Sequence, residues 1–305
     1  MDNFNLKNHP LCRVHTIDTA ISSLLDFYKN NFVKLFAMSL VMAAALQYAV
    51  SSMIDITSIQ SETDINVLME KIQELMIPFG IIAFLNICFF IIIQHYVMFS
   101  PLDENSSISN SILSSFKYLF PYLVTIILLA IFGGLVIAFG MLVFIIGAIF
   151  AIIYVITLYL FILPTMMMEG ADIGNTIIRT FKLAYKDFWT NIGWVALFLT
   201  LFVLITLIIS GLILIPFSGN FLQSIFNSGE AASFAEITQK PLYIILSVGA
   251  SALTMPLMSL LSAILYLNGR AKEENEQSRF DKTEEKKITV EDLYAKPYFD
   301  DQHNK

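Results

Sequence analysis

Residues 118–168 read YLFPYLVTIILLAIFGGLVIAFGMLVFIIGAIFAIIYVITLYLFILPTMMM and contain no aspartate, glutamate, lysine or arginine. A helix needs about 20 apolar residues to cross the hydrocarbon core of a bilayer. This stretch is too long for one such helix and fits two, joined by a tight turn near Phe139–Gly140. Small residues at four-residue spacing predict close helix packing within it; they are Ala130, Gly134, Ala138, Gly147 and Ala151.

The rest of the chain has the same character. It is 56% hydrophobic and only 14% charged, whereas a soluble domain carries about 25% charged residues. Four further apolar runs are long enough to cross a bilayer. The sequence therefore predicts an all-α integral membrane protein with six transmembrane helices, at about residues 32–51, 77–99, 118–138, 141–163, 189–215 and 242–267.

Basic residues near the spans predict the orientation of the chain, because they are retained on the cytoplasmic side. Six spans place both termini on one face, and of 18 lysines and arginines only Lys71 and Lys240 fall on the other face. We therefore expect both termini in the cytoplasm of a bacterial cell, with the spans in its inner membrane. The first 30 residues lack the uninterrupted apolar core and the small-residue cleavage site of a signal peptide, so the first span is expected to direct insertion.

Three short segments that precede spans resemble one another. ISNSILSSFKYLF from Ile108 and IGNTIIRTFKLAYKDFW from Ile173 share several positions, while IDTAISSLLDFYKNNF from Ile17 is a weaker match. Each has an apolar stripe at three- and four-residue spacing, which is typical of a helix lying in the membrane interface with its apolar face inward. The two stronger segments end in the aromatic–lysine pairs Phe116–Lys117 and Phe181–Lys182, whose lysines can extend to the headgroups.

These segments organise the predicted fold into three units. Each unit is one amphipathic interfacial helix followed by two spanning helices, with the second and third interfacial helices at about 105–117 and 172–187. The first interfacial helix belongs to the cytoplasmic segment 1–31. Residues 268–305 carry mixed charges and are predicted to be a disordered cytoplasmic tail. Apolar residues in this tail offer a docking motif for a protein partner, with a merely solvated tail as the alternative; they are Val290, Leu293, Tyr294 and Tyr298.

A family resemblance begins at Pro164 and covers TMMMEGADIGNTIIRTFKLAYKDFW. The stretch resembles the membrane domain found beside some glycerophosphodiester phosphodiesterases, and related bacterial polytopic families. The shared pattern is a proline ending a span (Pro164), Glu169–Gly170, an amphipathic helix with small or hydroxyl positions (Thr176 and Thr180), and an aromatic pair opening the next span (Phe188–Trp189). In those enzymes a separate soluble barrel domain performs metal-dependent catalysis, and this chain has no room for it. The resemblance therefore implies a membrane module without the phosphodiesterase activity.

Two carboxylates at the start of this segment suit a structural role. Asp172 can cap the following helix, and Glu169 favours its positive end. A role in headgroup binding or catalysis is the alternative for both residues.

Catalytic and metal sites have little support in the sequence. His9, Cys12 and His15 are spaced like zinc ligands, but no fourth ligand is evident, and an ordered N-terminal lead-in is the simpler reading. The chain has four histidines, too few and too scattered for a membrane di-iron site, and it has no nucleophile elbow or phosphate loop. We expect no enzyme activity, no cofactor and no metal.

The spans also lack acidic or basic residues near their centres, which ion-coupled transporters usually contain. The sequence therefore favours a non-enzymatic membrane scaffold, accessory or lipid-interacting module. The alternatives are a transporter or channel for a lipid or neutral small molecule, and an assembly factor that binds a protein partner through the cytoplasmic tail. The expected partners are the lipid bilayer and such a protein, and not nucleic acid.

Overall fold

The computed structural model describes residues 6–54, 65–103, 108–218 and 237–285, which are largely helical and contain no strand. The class of the fold is therefore confirmed as all-α. The helices of these regions are α1 Ile17–Asn30, α2 Phe32–Met53, α3 Ile65–Glu74, α4 Met76–Phe99, α5 Ile108–Ser115, α6 Leu119–Met141, α7 Phe144–Glu169, α8 Ile173–Lys186, α9 Phe188–Leu214 and α10 Pro241–Glu285.

Within the described residues, six helices are long and apolar enough to cross a membrane, as the sequence predicts: α2, α4, α6, α7, α9 and α10. The region of α9 shows most clearly why lipid is needed. Its most apolar 18-residue window has a mean hydropathy of 2.9, yet none of that window is buried inside the protein. An apolar surface of this extent is unfavourable in water and favourable in hydrocarbon.

Helices α6 and α7 form a tight antiparallel pair through glycine contacts. The turn between them lies at Leu142–Val143, slightly later than predicted. A Cβ atom added to Gly140 would lie 2.7 Å from the backbone oxygen of Gly147, so the two backbones touch. The prediction that Ala130, Gly134 and Ala138 pack closely is wrong. A Cβ on Gly134 would meet no atom within 4 Å, and Ala130 and Ala138 are exposed.

The last helix is longer than the sequence indicates. The prediction of a disordered tail from Asn268 is wrong for residues 268–285, because α10 runs without interruption to Glu285. Asn268 and Glu273 are buried within this stretch, and their contacts hold it against the bundle. We call residues 268–285 the helical extension; residues 286–305, with the predicted docking motif, lie outside the described residues.

Pro164 was expected to end a span, and this expectation is wrong. It lies inside α7, which continues to Glu169. A proline has no N–H to bond the carbonyl four residues earlier, here that of Leu160. The hydroxyl of Ser262 on α10 donates to this carbonyl at 2.6 Å, so the freed acceptor is satisfied and the helix continues.

The three amphipathic helices pack on the spans by equivalent positions. The second of them begins at Ile108 and gives way to a 3-10 turn at Phe116–Tyr118, and residues 104–107 lie outside the described residues. In each helix the buried residues include two that precede members of the apolar stripe by one position; they are Ala20 and Leu24, Ser111 and Ser115, and Thr176 and Thr180. Small side chains thus form part of the buried face, while most of the apolar stripe is half-buried or exposed beside the spans; Ala184 is a buried exception.

Candidate functional site

The corner between α7 and α8 is built from residues that the sequence singles out. Gly170 adopts a φ of 112°, a conformation that disfavours other residues, and it ends α7. Asp172 then caps α8 as predicted, because its Oδ2 accepts a hydrogen bond from the N–H of Asn175 at 2.9 Å. The corner turns the chain so that α8 packs back against α7.

Glu169 makes side-chain contacts across the bundle. Its Oε2 accepts a hydrogen bond from Nε of Arg179 at 2.6 Å, and its Oε1 accepts one from the hydroxyl of Tyr266 at 3.0 Å. Nε of Arg270 lies 3.8 Å from Oε1. This carboxylate therefore joins the end of α7 to both α8 and α10.

Arg179 is the centre of the arrangement. Besides bonding Glu169, it donates from Nη1 to Oε1 of Glu273 at 2.9 Å, and its Nη2 forms a second, closer bond to Oε2. Arg270 donates from Nη1 to the same Oε2 at 3.1 Å. We refer to Glu169, Arg179, Tyr266, Arg270 and Glu273 as the ionic cluster.

The charges of the ionic cluster balance, with two guanidinium and two carboxylate groups. The side chains of Arg179 and Glu273 are only 18% and 11% exposed. Burial alone would lower the pKa of Arg179, but the hydrogen bonds to Glu273 and Glu169 outweigh burial and raise this pKa above its usual value. Bidentate pairing of this kind fixes geometry as well as charge, so the cluster fixes α8 to the helical extension.

Further ion pairs follow the same contact beyond the cluster. Lys272 donates to Oδ2 of Asp187 at 2.6 Å. Lys186 lies 2.6 Å from a carboxylate oxygen of Glu276. From the pair of Arg179 and Glu273 to the pair of Lys186 and Glu276, the contact extends by about two turns of α8 and about one turn of the helical extension.

The N-terminal segment also packs on the helical extension. The backbone N–H of His15 donates to Oδ1 of Asn268 at 2.9 Å, and Lys7 forms an ion pair with Glu274 at 3.7 Å. His9 is buried, and its Nε2 lies 3.1 Å from the backbone oxygen of Val97 at the end of α4. The helical extension is thus in contact with both the N-terminal segment, through Lys7 and His15, and α8.

The predicted metal-like spacing has a structural explanation. The Nδ1 of His9 accepts a hydrogen bond from the N–H of Leu11, and Nε2 of His15 lies 3.1 Å from the carbonyl of Leu11. Two of the ring nitrogens are therefore used within the segment, and Nε2 of His9 is used by Val97. Among the described residues, no three His, Cys, Asp or Glu side chains are close enough to hold a metal ion.

The remaining predicted motif residues do not enter the ionic cluster. Phe188 begins α9 as expected, and its ring packs 5.5 Å from Tyr185 and 5.2 Å from Trp189. Phe181 contacts Phe132 on α6, with ring centroids 5.7 Å apart. Exposed members of the motif are Phe116, Lys117, Lys182 and Trp189, and Nζ of Lys117 lies 4.8 Å from the ring of Tyr118.

Sequence reasoning missed most of the ionic cluster. Arg179 and Glu273 are separated by 94 residues, and Arg270 and Glu273 lie in the stretch expected to be disordered. Their (i, i+3) spacing was the only local signal that they share a helix face. Comparison with family models, with curated proteins and with solved structures finds no match to this chain.

Proposed function

We propose that this chain is a non-enzymatic integral membrane scaffold that holds its cytoplasmic helical extension in a fixed position on the membrane bundle. The ionic cluster carries the proposal. Glu169, Arg179 and Glu273 link three separate helices through charge-assisted hydrogen bonds. Their donors and acceptors are directed at one another, as in a structural joint, whereas a catalytic site directs them toward a substrate.

The three-unit arrangement is part of the proposal. Each unit consists of one amphipathic helix and two spans: α1 with α2 and α4, α5 with α6 and α7, and α8 with α9 and α10. The equivalent buried positions Ala20, Ser111 and Thr176 support it, because chance similarity does not require the same position to pack. The resemblance to the membrane domain beside some glycerophosphodiester phosphodiesterases is also kept as a proposal, for the membrane module alone.

The proposed location is the inner membrane of a bacterial cell, with the ionic cluster on the cytoplasmic side. The distribution of basic residues supports this orientation. Residues beyond the helical extension would then leave the bundle at a defined point. A protein partner bound there, as in an assembly factor, would be held beside the membrane.

A distance measurement tests the scaffold directly. Spin labels are placed at the exposed positions Lys182 on α8 and Gln277 on the extension, after replacing Cys12 and Cys88 with serine. We expect a narrow distance distribution in lipid nanodiscs. The distribution should broaden with Glu273→Gln, which loses the charge that faces Arg179.

The neighbouring Glu274 gives a matched control. Its ion pair with Lys7 is long, at 3.7 Å, and the side chain of Lys7 is 71% exposed. Such a pair contributes little to stability, so Glu274→Gln should leave the distance distribution narrow. A broad distribution in the unsubstituted background would contradict the scaffold proposal. Release of glycerol phosphate from a glycerophosphodiester by the purified protein would contradict its non-enzymatic part.

Transport of a lipid or neutral solute is the second candidate, and one observation favours it. Ser39 on α2, Gln94 on α4 and Ser259 on α10 are fully buried, and these three helices pack on one another. The side-chain oxygen and nitrogen atoms of these residues have no hydrogen-bond partner, which is costly in a dry interior. Solute uptake into proteoliposomes that Gln94→Leu abolishes would support transport over scaffolding.

A further inference from the structure

A polar cavity of about 430 Å³ lies between the N-terminal segment, the corner of α1 and α2, and the end of α4. It shares no lining residue with the ionic cluster, so it is independent of the scaffold proposal. Its charged lining residues are Arg13, Asp26 and Lys34. Asn30, Asn31 and Ser100 add polar groups to the wall.

The charged side chains of this cavity do not form ion pairs with one another, unlike those of the ionic cluster. Arg13 donates from Nη2 to the hydroxyl of Ser23 at 2.5 Å. None of Arg13, Asp26 and Lys34 forms an ion pair with another described residue. Two cations and one carboxylate therefore surround a space large enough for a small polar group.

The position of the cavity indicates what that group is attached to. Lys34 is in the first turn of α2, and Ser100 directly follows the end of α4. Both helices are candidate membrane spans, so the cavity lies at the level where hydrocarbon gives way to headgroups. Val33, beside Lys34, is 77% exposed and offers an apolar surface next to the cavity.

A phosphate is the group that this chemistry selects. A guanidinium and an ammonium group together bind phosphate oxygens through charge-assisted hydrogen bonds. The N-terminus of α2 adds to this preference, because Asn31 makes no side-chain cap there and instead donates from Nδ2 to the carbonyl of Phe27. The carboxylate of Asp26 lies in the same cavity, so it favours a ligand that carries a cationic group as well as the phosphate.

We propose that the cavity binds the headgroup of an aminoalkyl phospholipid, with its phosphate held by Arg13 and Lys34 and its ammonium end accepted by Asp26. Phosphatidylethanolamine has this chemistry, whereas phosphatidylglycerol has the phosphate without the ammonium group. A free aminoalkyl phosphate offers the same charges without acyl chains. The lipid is favoured because the cavity lies at the ends of two candidate spans.

Native mass spectrometry of the full-length protein with added phosphatidylethanolamine tests the proposal. We expect Lys34→Gln to weaken binding by about tenfold, the loss of roughly one charge-assisted hydrogen bond. Lys29→Gln is the matched control, because Lys29 is exposed on α1 and does not line the cavity. Equal binding by both variants would overturn the proposal.

Two further arms identify the ligand. Asp26→Asn should remove the preference for phosphatidylethanolamine over phosphatidylglycerol, and it should not weaken phosphatidylglycerol binding, because it removes a negative charge beside the phosphate. Phosphoethanolamine, at the same concentration as the lipid, should not displace it. Displacement at equal concentration would overturn the lipid as the ligand, and an absent preference in the unsubstituted protein would overturn the role of Asp26.

Discussion

At the scale of single residues, Pro164 and Ser262 form a complementary pair on α7 and α10. The proline removes a helical hydrogen bond to the carbonyl of Leu160, and the serine hydroxyl replaces it at 2.6 Å. Ser262→Ala should therefore lower the free energy of unfolding by about 1 kcal/mol, which is typical of a side-chain hydrogen bond within a membrane protein. Thermal or detergent-induced unfolding measures this loss.

Ser259 supplies the control for this prediction. It is as buried as Ser262, but its hydroxyl has no partner, so Ser259→Ala should not lower the free energy of unfolding. Pro164→Ala restores an N–H for Leu160, and adding it to Ser262→Ala should recover part of the lost stability. Additive losses in the double variant would contradict the pairing.

The docking of the N-terminal segment is expected to depend on pH through the imidazole ring of His9. Its neutral ring can donate from Nε2 to Val97 and accept at Nδ1 from the N–H of Leu11. Burial lowers the pKa of His9 from 6.5 to about 4. Between these values the undocked segment binds a proton that the docked segment does not, so docking is strongest above pH 6.5 and weakens as the pH falls toward 4.

At pH 5 the difference in the pKa of His9 between the undocked and the docked segment should weaken docking by about 2 kcal/mol relative to neutral pH. Hydrogen exchange of residues 6–16, corrected for the intrinsic rate, should show faster opening at pH 5 than at pH 7.5. Burial also lowers the pKa of His15, with Arg13 contributing, so each histidine is replaced by glutamine separately. An unchanged pH response in His9→Gln would contradict the role of His9.

At the scale of helices, the contact between α6 and α7 depends on glycine. A Cβ on Gly147 would collide with the backbone oxygen of Gly140, and backbone atoms cannot move aside cheaply. Gly147→Ala should lower the free energy of unfolding by about 1–3 kcal/mol, the usual cost of overpacking. Gly134→Ala is the matched control, since its added methyl group meets open space and alanine favours a helix. Equal unfolding transitions for the two variants would show that the backbones do not touch.

The helices also show what the sequence could predict and what it could not. Long apolar runs without charge predict the six spans, because few soluble folds accommodate them. The continuation of α10 was not predictable from hydropathy, since the residues that hold it include Asn268 and Glu273, which bury polar atoms against distant partners. The packing face of α8 was missed for a related reason. In a bilayer the large apolar residues can face lipid, while small residues such as Thr176 and Thr180 allow close approach between helices.

At the scale of the whole molecule, an even number of spans predicts that α1 and the helical extension lie on the same side of the membrane. Single cysteines at Gln277 and at Met69 on α3 test this topology after Cys12 and Cys88 are replaced with serine. A membrane-impermeant maleimide should label Met69→Cys in intact cells and Gln277→Cys only after permeabilisation. Labelling of Gln277→Cys in intact cells would reverse the proposed orientation.

The hydrogen bond between His15 and Asn268 spans 253 positions of the chain, and it has a consequence for biosynthesis. A ribosome makes the first residue of this pair long before the second. The opening segment can already meet Val97 on α4, but this second part of its docking site is missing until the final helix has left the ribosome and entered the bilayer. Attachment of the amino-terminal residues should mark completion of the bundle, so a chain that stalls before Asn268 would keep those residues accessible to proteases and chaperones.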